Sequence, residues 1–172
     1  AAVAVELSCS PWAEDLELIL VGTCATLPTA LGQHNVTHAD ELDVVLDRLE
    51  RRASVQRSQS SATSVAAHRT DPDLADPWVP IILLVGRPLS SAEQRRVRQL
   101  VLSEPPASIA AVVVGLDTAP CRLVLLSSDD TGDGDPVARI EPYGLEIRPQ
   151  LLAEPVVDAV VELVETTGRT DT

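Results

Sequence analysis

The chain has 172 residues, enough for one domain with a substantial core. A net charge of −13 at pH 7 disfavours a solitary DNA or RNA reader, because phosphate contact depends on clustered positive charge. Its apolar 45% comes from Ala, Val, Leu and Ile with no Phe or Met, so the core is predicted to be aliphatic and β-branched, which suits parallel strands flanked by helices.

Residues 3–7 alternate apolar with small or polar side chains and are predicted to form a short edge strand, after which Ser8-Cys9-Ser10-Pro11 turns the chain. Residues 16–21 read as the first central strand, ending in Gly22, and residues 23–31 as a helix-like segment. Asn35-Val36-Thr37-His38 reads as a brief strand. Asp40 is the predicted N-cap of a helix running to about Arg57, with Asp43 in an acidic first turn and Leu42, Val45, Leu46 and Leu49 forming its apolar stripe.

Residues 58–76 are rich in Ser, Thr, Ala and Asp, which predicts a flexible excursion. Residues 80–86 read as a strand buried on both faces, residues 92–103 as a helix capped by Ser90 or Ser91, and residues 109–114 as a second fully apolar strand ending in Gly115. That is a βαβ unit, whose crossover is right-handed in nearly all folds. Residues 121–126 and 137–141 are predicted to pair as an antiparallel hairpin across the acidic, glycine-rich turn 127–136. Pro142-Tyr143-Gly144 breaks the second arm, and residues 145–148 resume extended structure. A closing helix over 153–166 turns Val156, Val157, Val160, Val161 and Val164 inward, Gly168 ends it, and 169–172 fray. The expected fold is one α/β domain over residues 1–168, three-layered and Rossmann-like or receiver-like. Its sheet is mostly parallel, with an antiparallel C-terminal hairpin and closing helix.

The first strand-to-helix turn stands where a nucleotide-binding protein places G-x-x-x-x-G-K-[ST]. Here the second glycine is Leu27 and the lysine is Pro28, and no lysine elsewhere substitutes, since all thirteen basic residues are arginine. Three strands end in glycine, at Gly22, Gly86 and Gly115, and in an open α/β sheet those ends line the crevice where ligands bind. Gly22, Thr23, Gly86, Arg87 and Gly115 are therefore the candidate ligand-binding residues. The alternative is that each glycine only lets its strand leave the sheet.

His34 and His38 are four apart with Asp40 nearby, but the β-prone residues between them argue against a helical metal face. The acidic turn supplies Asp129, Thr131 and Asp133 with Gly134 sixth, yet Ile140 stands where a calcium loop needs a bidentate Glu. No G-x-S-x-G elbow exists. No metal, cofactor or catalytic residue is thus predicted. Cys9, Cys24 and Cys121 lack CxxC spacing and read as small buried hydrophobes of a reducing compartment.

Trp12 and Trp78, each beside a proline and just before a central strand, read as covers for the sheet's amino-terminal end or as partner anchors. Arg95, Arg96 and Arg98 form a helical cluster that serves either as a solvated face or as a docking site. No run approaches the length of a membrane span. The lack of methionine, even at position 1, suggests a segment of a longer protein.

The patterns Glu6-Leu7-x-x-Ser10-Pro11-Trp12-Ala13-x-Asp15-Leu16, Leu20-Val21-Gly22, the helix from Asp40 to Ala53, Pro77-Trp78 through Leu84, and Glu141-Pro142-x-Gly144-Leu145-x-Ile147-Arg148-Pro149-Gln150 cover nearly the whole chain. In them it resembles the central α/β region of large actinobacterial proteins that combine membrane-spanning segments, a lysin-motif domain and a carboxyl-terminal bacterial transcriptional activator domain. The resemblance implies a cytoplasmic module of a membrane-associated, transcription-regulator-like parent. Such a module would act as a non-catalytic scaffold or regulator whose partners are protein: another copy, or other domains of the parent. The alternative is a small-molecule or nucleotide sensor that binds at the strand ends without hydrolysis. Direct nucleic-acid binding and membrane insertion by this segment are not expected.

Overall fold

The computed structural model describes residues 1–59, 78–126 and 137–168. The predicted turn at 127–136, the predicted fraying at 169–172 and all of the predicted excursion beyond Gln59 lie outside them.

Four parallel strands form the main sheet: β1 (Glu17–Val21), β2 (Val36–Ala39), β3 (Ile81–Pro88) and β4 (Ile109–Val114), in the order β2-β1-β3-β4. Leu18, Ile19, Leu20 and Val21 are all buried, as are Ile81, Leu83, Leu84 and Val85, because helices cover both faces of the two central strands. Continuous apolar runs, rather than alternation, are what that double burial selects.

On one face, α3 (Leu42–Gln59) and α4 (Ser91–Leu102) pack Leu42, Val45, Leu46, Leu49, Val97 and Leu100 against Ile19, Val21, Ile81, Leu83 and Val85. On the other face, α1 (Ala2–Ser8), α2 (Leu27–Leu31) and the closing helix α5 (Glu154–Gly168) bring Ala4, Leu27 and Val161 onto Leu18, Leu20, Val36 and Leu84. The result is a three-layer α/β arrangement. Three further strands, β5 (Arg122–Leu126), β6 (Val137–Glu141) and β7 (Leu145–Ile147), form a separate antiparallel sheet in the order β5-β6-β7, so the expected hairpin gains a third strand. Among the described residues, no helix is long and apolar enough to cross a membrane.

Four expectations are corrected. The predicted strand at 3–7 is helix α1: alanine is the strongest helix former, and Ala4 and Ser8, four apart, are the pair this segment buries. The Ser8 hydroxyl donates to the Ala4 carbonyl at 2.8 Å within the helix. Asp40 does not cap α3, which starts at Leu42; it lies beside His38 instead, 3.8 Å away. The helix after Gly22 is delayed to Leu27, with Pro28 in its first turn and Gly32 closing it at φ 62°. In α5, Val157 and Val161 are buried while Val156 is 46% exposed, so its inner stripe is narrower than the valine pattern suggests.

α3 and α4 are joined by arginines. Arg96 reaches Asp43 (3.0 Å), Asp47 (2.5 Å) and Glu50 (2.8 Å), which lie at successive turns of α3. Arg57 donates to the carbonyls of Leu100 (2.7 Å) and Pro105 (3.1 Å), satisfying acceptors at the end of α4 that its own helix leaves open. Beneath them the buried Gln56 and Ser108 bond reciprocally: Gln56 Nε2 donates to Ser108 Oγ at 2.6 Å, and the Ser108 N–H donates to Gln56 Oε1 at 3.1 Å. Gln56→Leu strands that N–H in the core. We expect it to cost about 1–3 kcal/mol, read as a lower urea midpoint at unchanged m-value.

Candidate functional site

The sheet order reverses between β1 and β3: β1 is followed outward by β2 on one side, and β3 by β4 on the other. This is the topological switch point, whose carboxyl-end crevice is the default ligand position in such sheets. Val21 is in register with Val85, so Gly22, just past the end of β1, stands beside Gly86; β3 does not end at Gly86 as expected but runs on to Pro88, with an irregularity in its pairing to β4 between Val85 and Pro88. Gly22, Thr23, Gly86 and Arg87 are thereby brought together. Gly115 is not part of the group; it ends β4 at φ 74° with open space where a Cβ would stand.

The two glycines serve different purposes. Gly22 has φ 65°, a left-handed conformation costly to other residues, and the Arg87 stem lies across it, its Cγ 3.4 Å from where a Cβ would stand. At Gly86 a Cβ would meet the Thr23 Cβ at 2.5 Å and the Gly22 carbonyl oxygen at 2.9 Å. The close approach that a phosphate loop reserves for its ligand is here taken up by the protein's own Thr23 and Arg87.

The Arg87 guanidinium is also engaged. It donates to Glu93 Oε1 at 2.6 Å and Oε2 at 3.3 Å, and to the Pro88 carbonyl at 3.1 Å. Glu93 in turn accepts the Ser90 N–H at 2.7 Å while the Ser90 hydroxyl accepts the Glu93 N–H at 3.3 Å, a complete capping box at the start of α4. The bonds from Arg87, then those from Ser90, pull the Glu93 carboxyl from 4.5 down to about 2, and the same pairing raises Arg87. An anion arriving here must compete with a carboxylate already in place. The sequence offers Ser90 or Ser91 as the cap; the structure selects Ser90 and adds Glu93, both as the partner in the box and in its hold on Arg87.

The predicted partner residues scatter. Trp12 is 73% exposed, whereas Trp78 is 1% exposed and belongs to the core, so it is no surface anchor. Arg96 is committed to the three α3 carboxylates rather than to a docking surface, Arg98 donates to the Thr118 hydroxyl at 3.0 Å, and Arg95 is exposed. The cysteines are not buried as expected: Cys9 and Cys121 are exposed and Cys24 is intermediate, because each falls in a turn beside its strand or helix rather than within it. Asn35, not singled out from sequence, donates from its side chain to the carbonyls of Ala13 and Leu16 and so fixes the entry to β1. Among the described residues, no group of three or more His, Cys, Asp or Glu is placed to hold a metal. A groove of about 400 Å³ lies between α3 and α4, lined by Glu50, Arg57, Arg96, Gln99 and Leu100, away from the switch point.

A second surface was not foreseen. Register places Leu123 opposite Ile140 and Ile140 opposite Leu145, and Leu125 opposite Ala138 and Ala138 opposite Ile147, so one face of the small sheet is wholly apolar. Leu123, Leu125 and Leu145 are each more than half exposed on it. The opposite face carries the ion pairs Arg122–Glu141 and Arg139–Glu146 (2.8 Å). Comparison with protein-family models, with curated proteins and with solved structures finds no match to this chain.

Two outcomes test this description of the crevice. Gly86→Ala should destabilise the fold by about 1–3 kcal/mol through overpacking, and Thr23→Gly in the same chain should restore part of the loss, as a double-mutant cycle in urea would read. Because the Glu93 pKa is lowered on folding, its contribution is complete above about pH 4.5 and is lost as pH falls toward 2. The melting-temperature gap between the natural chain and Glu93→Gln should therefore shrink steadily from pH 6 to pH 2.

Proposed function

We propose that the chain is a non-catalytic regulatory or scaffold module of a larger actinobacterial, membrane-associated protein, and that it works in the cytoplasm by binding protein. The observation that carries this is the apolar face of the β5-β6-β7 sheet. A three-stranded sheet draws its stability from something packed on its hydrophobic face, and Leu123, Leu125 and Leu145 stand exposed there with ion pairs behind them. The packing at the switch point supports the same reading, since Thr23 lies against Gly86, the Arg87 stem lies against Gly22, and the Arg87 guanidinium is already held by Glu93. The partner class is protein: other domains of the parent or another copy.

The sensor reading draws on the convergence of Gly22, Thr23, Gly86 and Arg87, and it requires a ligand that displaces Glu93. Two measurements separate the readings. Calorimetric titration of this chain with the remaining domains of the parent should show binding that Leu123→Gln/Leu125→Gln/Leu145→Gln weakens at least tenfold while the melting temperature holds. A thermal-shift series with nucleotides, cyclic dinucleotides and common metabolites should be flat. A saturable shift, about 2.7 kcal/mol at 100 times Kd, that is lost in Gly22→Trp or Arg87→Glu would replace this reading with the sensor.

A further inference from the structure

The two edges of the main sheet differ. β2 is four residues long, carries His38, and is flanked by Asn35 and Asp40, so it is short and polar in the way natural edges are guarded. β4 is six residues long, Ile-Ala-Ala-Val-Val-Val, and no charged residue occurs from Pro105 to Leu116. Ala110, Val112 and Val114 are exposed on the face away from α3 and α4, the two valines each at 51%. Among the described residues, no charged side chain of the strand and no further strand guards this edge.

Hydrogen bonding defines what it offers. The Ser108 carbonyl accepts from the Ile81 N–H at 2.8 Å, so by alternation the peptide groups of Ala110 and Val112 also point to β3. Those of Ile109, Ala111 and Val113 point outward, and among the described residues no strand pairs with them.

We propose that this edge is a self-association site, at which β4 of a second copy adds antiparallel about a twofold axis through Ala111. This rests on the interaction-module reading but uses a surface separate from the small sheet. The register follows from using all three outward residues: Ala111 opposes Ala111 of the second copy, and Ile109 opposes its Val113. On the other face Ala110 opposes Val112 of the second copy, so small meets large in both directions across the axis.

Self-complementarity argues for a second copy as the occupant: Ile109, Ala111 and Val113 present their peptide groups outward and match themselves about Ala111, and Ala110 matches Val112. The −13 on each chain opposes association, but the stretch from Pro105 to Leu116 adds no charge to that repulsion. Extent argues for a modest affinity. Six residues span about 20 Å, and edge pairing of that length covers on the order of 500 Å² per copy, below the ~800 Å² of a standard interface, which suits a dimer in micromolar exchange.

Sedimentation of the full chain across the micromolar range should show a reversible monomer–dimer equilibrium, shifted toward dimer as salt screens the acidic charge. Val112→Lys, an exposed position, should abolish the dimer with circular dichroism and melting temperature unchanged. With Cys9, Cys24 and Cys121 replaced by Ser, Ala111→Cys should form a disulfide-linked dimer, because hydrogen-bonded antiparallel partners sit about 5.5 Å apart at Cα. Val114→Cys should not. A monomer at every concentration overturns the proposal, as does a dimer that survives Val112→Lys or cross-linking that is equal at both cysteine positions. A dimer dissolved by Leu123→Gln/Leu125→Gln/Leu145→Gln would also overturn it, by placing association on the small sheet. Loss of parent-domain binding in that triple variant with the dimer intact supports both readings separately.

Discussion

Pairing of β1 with β3 is the constraint on which the rest depends. It joins the two most apolar segments of the chain in one register, from Glu17 opposite Ile81 to Val21 opposite Val85, and both strands are then buried on both faces. Every helix must serve that pair, because each face of it needs a cover. The same register decides the chemistry at the carboxyl end, where Gly22 ends β1 beside Gly86 of β3. At Gly86 a methyl would meet Thr23 and the Gly22 carbonyl, so β3 and the turn after β1 lie directly against each other at this point. A nucleotide fold and a closed scaffold can share this topology; what separates them is whether the glycines approach a phosphate or each other.

A lysine-free chain makes its positive charge work through a fork rather than a point. Arg96 spans three carboxylates on α3, Arg87 meets both oxygens of Glu93, and Arg57 closes carbonyls at the end of α4, each a geometry that the planar guanidinium provides and an ammonium does not. At the amino-terminal end, Arg48 and Arg52 converge on Glu17, and Arg52 also donates to the Val79 carbonyl at 2.9 Å. Partial burial lowers the Arg52 pKa more than Glu17 raises it, so this pair acts more as a hydrogen-bonded tie between α3 and the start of β1 and β3 than as a source of Coulomb energy. Of the arginines that read as a docking cluster, Arg96 is thereby spent on holding α3 and α4 together.

Much of the fold was legible because the strongest signals were long-period ones. The Leu42, Val45, Leu46, Leu49 stripe, the apolar runs of β1 and β3, and the Ser90 cap each reflect a single dominant force. The errors fall where two forces compete. In residues 1–8, alternation of valine with smaller residues imitates a strand, while alanine propensity and the Ala4–Ser8 pairing favour the helix that forms. Trp78 carries the same local context as Trp12, a neighbouring proline and a following strand, yet one is buried and the other exposed, since tertiary packing and not the dipeptide decides. The site was half legible: glycines at strand ends mark the switch point, but only coordinates reveal that Thr23 fills the space beside Gly86 and that Glu93 holds Arg87.

The uncovered surfaces follow from how the chain spends its helices. α1, α2 and α5 gather over β1, β2 and Leu84 of β3, because α5 returns from the small sheet to join the core of Leu18, Leu20 and Val36. Among the described residues no helix packs on the same face of β4, and the small sheet keeps its ion pairs on one side and the exposed Leu123, Leu125 and Leu145 on the other. Neither surface is a defect of composition, since the chain has ample charge elsewhere and could have placed some at Val112 or Leu125. Apolar side chains kept at both places, in a chain with twice as many acids as bases, are the opposite of what solubility alone would select. Their concentration on one strand edge and one sheet face is what makes those flanks, on the reading proposed above, the places for recognition.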